Sequence, residues 1–197
     1  MEKYALISVS DKENILPFAK KLVSLGYKII STGGTYRLLK NHISENFLIE
    51  VQNITNFPEI LDGRVKTLHP KIFGGILADR KNESHLKTLK EFNIPNIEIV
   101  VVNLYPFEKV TSQGASFKEA IENIDIGGVT LLRAGAKNFE NVLVVCDKKD
   151  YDEVLNRLEN NKIDFKFRLN LAIKAFKRVK DYDTAISNYL ENFLNKV

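Results

Sequence analysis

Hydrophobic and polar residues follow each other along the chain in blocks that predict strands alternating with helices. Short apolar, β-branched runs typical of buried strands occur at 4–9, 27–30, 47–54, 97–104 and around 144. Apolar residues recur at helical spacing at 15–23, 35–39, 83–92, 116–124, from 129 onward and at 150–158. Such alternation predicts an α/β fold, with a mostly parallel sheet covered by helices on both faces.

The pattern changes in two places. Residues 55 to about 77 have no regular period and are predicted to be irregular. Residues 165–197 are charged and helical in pattern, without a strand-like run. We therefore predict one domain over 1–164 and a C-terminal helical extension over 165–197. The extension is expected to be a helix pair or an arm that leads toward an absent domain.

Composition narrows the function classes. The chain has 197 residues, 44% of them hydrophobic, which is enough for one substantial core. Its net charge of +4 is mild, and its cations are mixed with 25 acidic residues, so nucleic-acid binding is not predicted. The single cysteine, Cys146, lies in an apolar run and is predicted to be a reduced core residue.

Several further features are predicted to be absent. The chain opens directly into a strand-like run without a signal peptide, and no apolar run has the length of a membrane span. We therefore expect a cytoplasmic protein. No His, Cys, Asp or Glu residues have the spacing of metal ligands, so no metal site is predicted.

Polar motifs follow three of the predicted strands, at 8–12, 31–35 and 103–106. Ligands of open parallel sheets bind beyond the carboxyl ends of the strands, so these motifs are expected at one site. Ser-Thr-Gly-Gly-Thr at 31–35 offers hydroxyls and a helix N-terminus to a phosphate, and Lys12 could reach the same anion. An ordinary capped turn explains 31–35 about equally well on spacing alone.

Two further segments carry candidate chemistry. The Gly- and Pro-bounded stretch 62–70 holds Arg64 and Lys66, which suit an anionic ligand, although a solvated basic loop is the ordinary alternative. The stretch 124–138 holds Asp125 and, twelve residues later, Lys137. In one unbroken helix these two would be ~18 Å apart. Both can serve one site only if that helix ends near residue 135; otherwise Lys137 is a surface residue.

Taken together, six motifs resemble a known family. They stand at 8–12, 31–35, 62–70, 103–107, 124–128 and 131–138. The chain is similar to the IMP cyclohydrolase domain, which forms the N-terminal part of the bifunctional purine biosynthesis proteins that also carry AICAR transformylase activity. The resemblance implies a methylglyoxal-synthase-like fold. It also implies ring closure of 5-formamidoimidazole-4-carboxamide ribotide (FAICAR) to inosine monophosphate (IMP), with loss of water and without a cofactor.

The resemblance implies roles for particular residues. Asp125 is assigned to the carboxamide nitrogen, Lys137 with backbone N–H groups to the formyl oxygen, and Lys66 with Tyr105 to orientation and proton relay. Substrate and phosphate binding is assigned to Ser10, Lys12, Ser31, Thr32, Gly33, Gly34, Thr35, Arg64, Thr67, Asn103, Gly127 and Gly128. The partner expected is the nucleotide substrate, with no nucleic acid or membrane, and a homodimer is left open.

The chain departs from the family in places. Phe73 stands where a histidine is expected and Asn56 where a glycine is usual, and the segment 175–183 lacks the His-Thr-Ala that the family carries there. The transformylase domain is absent, so transformylase activity is not expected. Two other functions remain open: methylglyoxal synthase, and a non-catalytic domain that binds purine nucleotides for regulation.

Overall fold

The computed structural model describes residues 2–196, in which five parallel strands form one sheet. The strands are β1 (Lys3–Val9), β2 (Tyr27–Ser31), β3 (Leu48–Glu50), β4 (Ile97–Asn103) and β5 (Leu143–Val145). Their order across the sheet is β3-β2-β1-β4-β5, and all four neighbouring pairs are parallel. The parallel sheet predicted from the sequence is confirmed.

Helices fill the connections between the strands. They are α1 (Ile15–Ser24), α2 (Gly33–Lys40), α3 (Val51–Thr55), α4 (Pro70–Leu77), α5 (Glu83–Glu91), α6 (Phe107–Ser112), α7 (Phe117–Glu122), α8 (Gly127–Lys137), α9 (Tyr151–Glu159) and α10 (Phe165–Leu194), with a 3₁₀ turn at Lys148–Asp150. Helix α1 contacts α2 and α9, while α8 contacts α4 and α10. The helices thus form two groups.

Strand β1 lies at the centre of the sheet and explains why the helices form two layers. Three successive residues, Ala5, Leu6 and Ile7, are fully buried. Successive side chains of a strand point to opposite faces, so both faces of the sheet must be covered there. The continuous apolar run in the sequence is therefore the mark of a strand covered on both sides.

The third predicted strand is only partly correct. Residues 47–54 were expected to be extended, but β3 ends at Glu50 and the chain continues as α3. An edge strand of three residues leaves too few alternating positions to reveal where the strand ends. Helix α3 ends at Thr55 and is followed by Asn56, which has a left-handed backbone with φ of 53°. Asn tolerates this conformation better than most residues, so it can replace the glycine expected there.

The prediction that residues 55–77 are irregular is wrong for its last eight residues, which form α4. Pro70 occupies the first turn of this helix, and the His69 ring accepts a hydrogen bond from the Lys71 amide at 3.1 Å. Both are ordinary helix-start features. His69 therefore has a capping role, and Phe73 packs against the hydrophobic core from within α4.

The C-terminal extension is helical, as predicted, and of the two forms expected for it the helix pair is wrong. Residues 165–194 form one continuous helix of 30 residues, α10. It contacts α8, β5 and α6, and its buried residues Leu171, Ala175 and Val179 belong to the same hydrophobic core as the sheet. The boundary at residue 164 is thus a change of secondary structure, and its status as a domain boundary stays a prediction.

No helix within residues 2–196 combines the length and apolarity that crossing a membrane requires. In the same residues, no group of three or more His, Cys, Asp or Glu side chains could hold a metal ion.

Candidate active site

A cavity of about 560 Å³ lies beyond the carboxyl ends of β1, β2 and β4, where ligands bind in open parallel sheets. All but two of the residues predicted for the site line it. They are Ser10, Lys12, Thr32, Gly33, Gly34, Thr35, Arg64, Lys66, Thr67, Asn103, Tyr105, Asp125, Gly127 and Gly128. The structure therefore brings motifs from five segments of the chain to one place.

The loop after β1 is fastened to the end of β4. The Asn103 side-chain oxygen accepts hydrogen bonds from the backbone N–H groups of Ser10 and Asp11, at 2.6 and 2.9 Å. Its amide group donates to the Asp11 carbonyl at 2.8 Å. Asn103 thus fixes the loop that carries Lys12. Both the oxygen and the NH2 group of its side chain are used in these hydrogen bonds.

The loop after β2 forms a second wall. Thr35 donates to the Val9 carbonyl at 3.0 Å and accepts from the Val9 amide at 3.2 Å, which ties helix α2 to strand β1. Thr32 precedes α2 but makes no capping bond with its side chain within the described chain. The first N–H groups of α2 are therefore directed toward the cavity without a side-chain cap, a common arrangement for binding a phosphate.

Lys12 lies above this helix start. Its Nζ donates to the carbonyls of Val9 and Ser10, at 3.2 and 3.1 Å. A Cβ added to Gly34 would lie only 3.5 Å from that Nζ, and one added to Gly33, whose φ is 47°, only 3.5 Å from the Lys66 Nζ. The glycine pair therefore lies between two cations, which suits an anionic group.

Ser31 does not reach the cavity. Its side chain is fully buried and donates to the Ile7 carbonyl at 2.8 Å, so it joins β2 to β1. Ser31 is the last residue of β2, and the side chain of the next residue, Thr32, points to the opposite side. Of these two residues, only Thr32 lines the cavity. The prediction that Ser31 binds the substrate is wrong.

The basic segment forms a tight turn at the cavity edge. Three successive residues, Leu61, Asp62 and Gly63, have left-handed backbones, and Ile60 pairs with Val65 across the turn. Such a run is rare outside glycine and is held by its surroundings. The turn presents the next two cations, Arg64 and Lys66, to the cavity.

Both cations of this turn already have acidic partners. Arg64 pairs with Glu122 of α7, and the Lys66 Nζ lies 3.0 Å from a Glu59 carboxylate oxygen. The Arg64 side chain is 67% exposed, whereas that of Lys66 is 28% exposed. An anionic ligand would compete with a carboxylate for each cation, and Lys66 is the less hydrated of the two.

Asp125 also lines the cavity, just before α8. One carboxylate oxygen accepts from the Gly128 amide at 2.7 Å, and the other from the Tyr105 amide at 3.4 Å. Burial raises the pKa of Asp125, and these two N–H donors act against that rise. A Cβ added at position 128 would lie 2.4 Å from an Asp125 carboxylate oxygen, so a larger residue there would displace the carboxylate.

These contacts revise the expected oxyanion donors. The Gly128 N–H is committed to Asp125, so it is not available to a substrate oxygen. Gly127 begins α8 and faces Thr67, whose hydroxyl oxygen would lie 3.1 Å from a Cβ added there. Both glycines line the cavity, but Gly128 contributes by holding the carboxylate.

Lys137 lies at the far end of α8. The helix runs unbroken from Gly127 to Lys137, a distance of ~15 Å, and Lys137 is exposed. Gly135 does not end the helix; it lies within the last turn, where an added Cβ would be 3.2 Å from Val144. Within this chain the prediction that Lys137 joins Asp125 is wrong, because the helix does not turn back.

Comparison with known families identifies the fold. Residues 14–130, more than half of the chain, match the family model of the MGS-like domain. The chain belongs to the MGS-like domain family. Residues 135–197 match a second family model, described as AICARFT/IMPCHase bienzyme. That second match covers the last three residues of α8, strand β5, helix α9 and the whole of α10.

Curated relatives of this MGS-like chain are longer proteins. The bifunctional purine biosynthesis protein PurH of Thermoanaerobacter sp. is 55% identical over 195 residues, which cover 96% of this chain and 37% of the relative. The protein of the same name from Fusobacterium nucleatum is 55% identical and covers 96% of this chain and 38% of the relative. The chain thus spans little more than a third of the length of these relatives.

A solved structure has a similar extent. The structure titled "Crystal structure of ForH" superposes with a TM-score of 0.81 at 38% sequence identity. The match covers 95% of this chain and 98% of that chain. The shared MGS-like structure therefore includes at least part of α10, since that helix alone has 30 residues.

Sequence reasoning missed several residues of this MGS-like cavity. The apolar ones are Ile121, Ile124, Ile126, Leu68 and Leu131, and the polar ones include Ser8 and Glu122. Ile121 and Leu131 lie on helices, where apolar residues give the same pattern whether they line a cavity or a core. Leu68, Ile124 and Ile126 lie in connecting segments, where no hydrophobic period applies. Ser8 stood within a recognised motif, and its hydroxyl lies 3.3 Å from that of Thr32.

Proposed function

We propose that this chain is an IMP cyclohydrolase, which closes the ring of FAICAR to give IMP and water. One observation supports the proposal: Lys12, Lys66 and a glycine pair line the same cavity as Asp125, a half-buried carboxylate whose pKa is raised. The PurH relatives, named as bifunctional purine biosynthesis proteins, support it. Transformylase activity is not proposed for this chain.

The phosphate end would hold the substrate at a distance from the reacting atoms. Lys12 and the start of α2 would bind the 5′-phosphate, with Arg64 near the phosphate or ribose. A phosphate suits a helix N-terminus and two cations, since it can accept many hydrogen bonds. Binding energy gained there can be used to position the reactive end of the substrate.

The chemistry requires one bond to form and another to break. The carboxamide nitrogen attacks the formyl carbon and loses one proton. The formamido nitrogen then loses its proton as the C=N bond forms, and the formyl oxygen leaves with these two protons as water. Asp125 would accept the carboxamide proton, because a carboxylate with a raised pKa is a better base than an ordinary one. Holding the two groups in contact can supply much of the rate, since the reaction is intramolecular.

The formyl oxygen needs a donor as it gains negative charge. Lys137 was expected to provide it but lies outside the cavity. Lys66 lines the cavity and is the less exposed cation of the turn. We therefore assign the formyl oxygen to Lys66, with the Tyr105 hydroxyl relaying a proton to the departing water.

The decisive experiment adds FAICAR to the purified chain and follows IMP formation by absorbance and chromatography. We expect turnover by the parent protein and its near-complete loss in Asp125→Asn. Tight purine-nucleotide binding without turnover would replace the proposal with a regulatory function. Conversion of dihydroxyacetone phosphate in place of FAICAR would identify a methylglyoxal synthase.

A further inference from the structure

The backbone that carries Asp125 is held by a side chain from the C-terminal helix. The Asp125 backbone N–H donates to the Tyr182 hydroxyl oxygen at 2.8 Å, and that hydroxyl donates to the Asn123 carbonyl at 3.2 Å. Tyr182 belongs to α10 and is fully buried. One hydroxyl therefore bridges two peptide groups of the α7–α8 loop.

Only the neutral hydroxyl can make both hydrogen bonds, because it must donate to the Asn123 carbonyl while it accepts from the Asp125 amide. Burial raises the pKa of Tyr182 to about 12, so the phenol keeps its proton under ordinary conditions. A buried hydroxyl that loses its partners is costly, and so is a buried peptide group left without one. The Tyr182 hydroxyl both accepts and donates a hydrogen bond here, so it fixes the α7–α8 loop.

The Tyr182 ring also touches the segment that carries Tyr105. It packs edge-on against Phe107, with ring centroids 6.2 Å apart. The Arg178 guanidinium lies over the Tyr182 ring at 5.5 Å from its centroid and pairs with Glu108 at 2.8 Å. Phe107 and Glu108 begin α6, two and three residues after Tyr105.

We propose that Tyr182 is a positioning residue, whose hydroxyl holds the Asp125 backbone so that its carboxylate faces the substrate beside Tyr105. This inference rests on the proposed cyclohydrolase function. Tyr182 does not line the cavity, so it acts through Asp125 and does not contact substrate. Helix α10 thereby contributes to the geometry of the site through Tyr182.

The test compares Tyr182→Phe with Tyr189→Phe. The first variant removes the bridging hydroxyl and keeps the ring. The second removes a hydroxyl from the same helix, where the Tyr189 ring packs against Phe107 at 5.6 Å and its hydroxyl has no recorded hydrogen bond within residues 2–196. Thermal unfolding and circular dichroism are recorded for both, so that any loss of fold is measured separately.

We expect kcat of Tyr182→Phe to fall by about tenfold to a hundredfold, because small misplacements of a catalytic group cost that much. KM should stay within about twofold of the parent value, since the phosphate site is untouched. Tyr189→Phe should keep both constants. A merely stabilising role of Tyr182 predicts a lower melting temperature with unchanged kcat, and that result would overturn the proposal.

Amide hydrogen exchange, followed by NMR, tests the contact without relying on activity. The Asp125 amide should be protected in the parent chain and should exchange at least tenfold faster in Tyr182→Phe than in Tyr189→Phe. An Asp125 amide that exchanges freely in the parent would refute the contact, whether or not the variant folds. If the parent forms no IMP, the proposed function fails, and exchange alone still decides whether Tyr182 positions Asp125.

Discussion

The two ends of the cavity are built differently. The end proposed to bind the phosphate, called the phosphate end, consists of strand termini and the loops that follow them. Hydrogen bonds join Asn103 to Ser10 and Thr35 to Val9. The Asp125 end depends on α10, since Tyr182 is 57 residues farther along the chain. Parallel strands bring the first end together by topology alone. The Asp125 end also needs the Tyr182 side chain of α10, whose hydroxyl must reach the Asp125 amide.

This difference predicts that substitutions at the two ends change different kinetic constants. The largest effect is expected for Asp125. Replacing it with Asn keeps the side-chain shape but removes the base, so we expect kcat to fall by ~10³-fold, within the range of general base catalysis. KM should change little. Steady-state kinetics with FAICAR measure both constants.

Asp152→Asn is the matched control for that variant. Asp152 is exposed in the first turn of α9 and loses the same charge. If both variants lowered kcat equally, net charge and not the Asp125 carboxylate would be responsible.

The pH dependence of activity should come from the same end of the cavity. Burial raises the pKa of Asp125, and a base must be deprotonated to act. Activity should therefore be lost as the pH falls through a value above that of an ordinary aspartate, with log kcat/KM declining by one unit for each pH unit below it. A pH–rate profile of the parent measures this. An acid limb at or below the ordinary aspartate pKa of ~3.9 would contradict the assignment.

At the phosphate end we expect an effect on KM. Lys12→Ala removes the cation beside Gly34, and a hydrogen bond to a charged group is worth about 1.5–3 kcal/mol. KM should rise by about tenfold to a hundredfold, while kcat stays near the parent value because the phosphate is remote from the reacting atoms. Lys20→Ala, an exposed change on α1, serves as the control. A fall in kcat with constant KM would place Lys12 at the chemistry instead.

The smallest expected effect concerns Arg64. Glu122→Gln should release this guanidinium for the ligand and lower KM by a few-fold at low salt, since exposed pairs are worth ~0–1 kcal/mol. The gain should shrink as ionic strength rises. Titrating KM against salt for parent and variant tests this. An effect that is independent of salt would show that Glu122 contacts the ligand directly.

The same contrast explains how far the sequence could predict the site. Lys12 and residues 32–35 follow strands, so the topology of a parallel sheet placed them correctly. Ser31 was misplaced by one residue, because the exact strand end decides which side chain faces the cavity. The role of Tyr182 left no local signal, since a tyrosine among apolar helix positions has the pattern of any core residue.

Lys137 shows a different limit. Its distance from Asp125 along a helix was calculable, but whether the helix breaks at Gly135 depends on packing against Val144. Glycine in a helix can mark an end or a close approach, and the sequence does not distinguish them. In this protein Gly135 allows α8 to approach Val144 of the sheet closely.

The central position of β1 also bears on how the protein folds. Its pairing with β4 joins Val9 to Asn103, across a loop of more than ninety residues that holds β2 and β3. Closing so long a loop costs entropy before any contact compensates for it, and such topologies fold slowly. The Asn103 bonds that fix the Lys12 loop can form only after that step. We therefore expect nucleotide binding to appear late in refolding, after the β1–β2 half has gained its secondary structure.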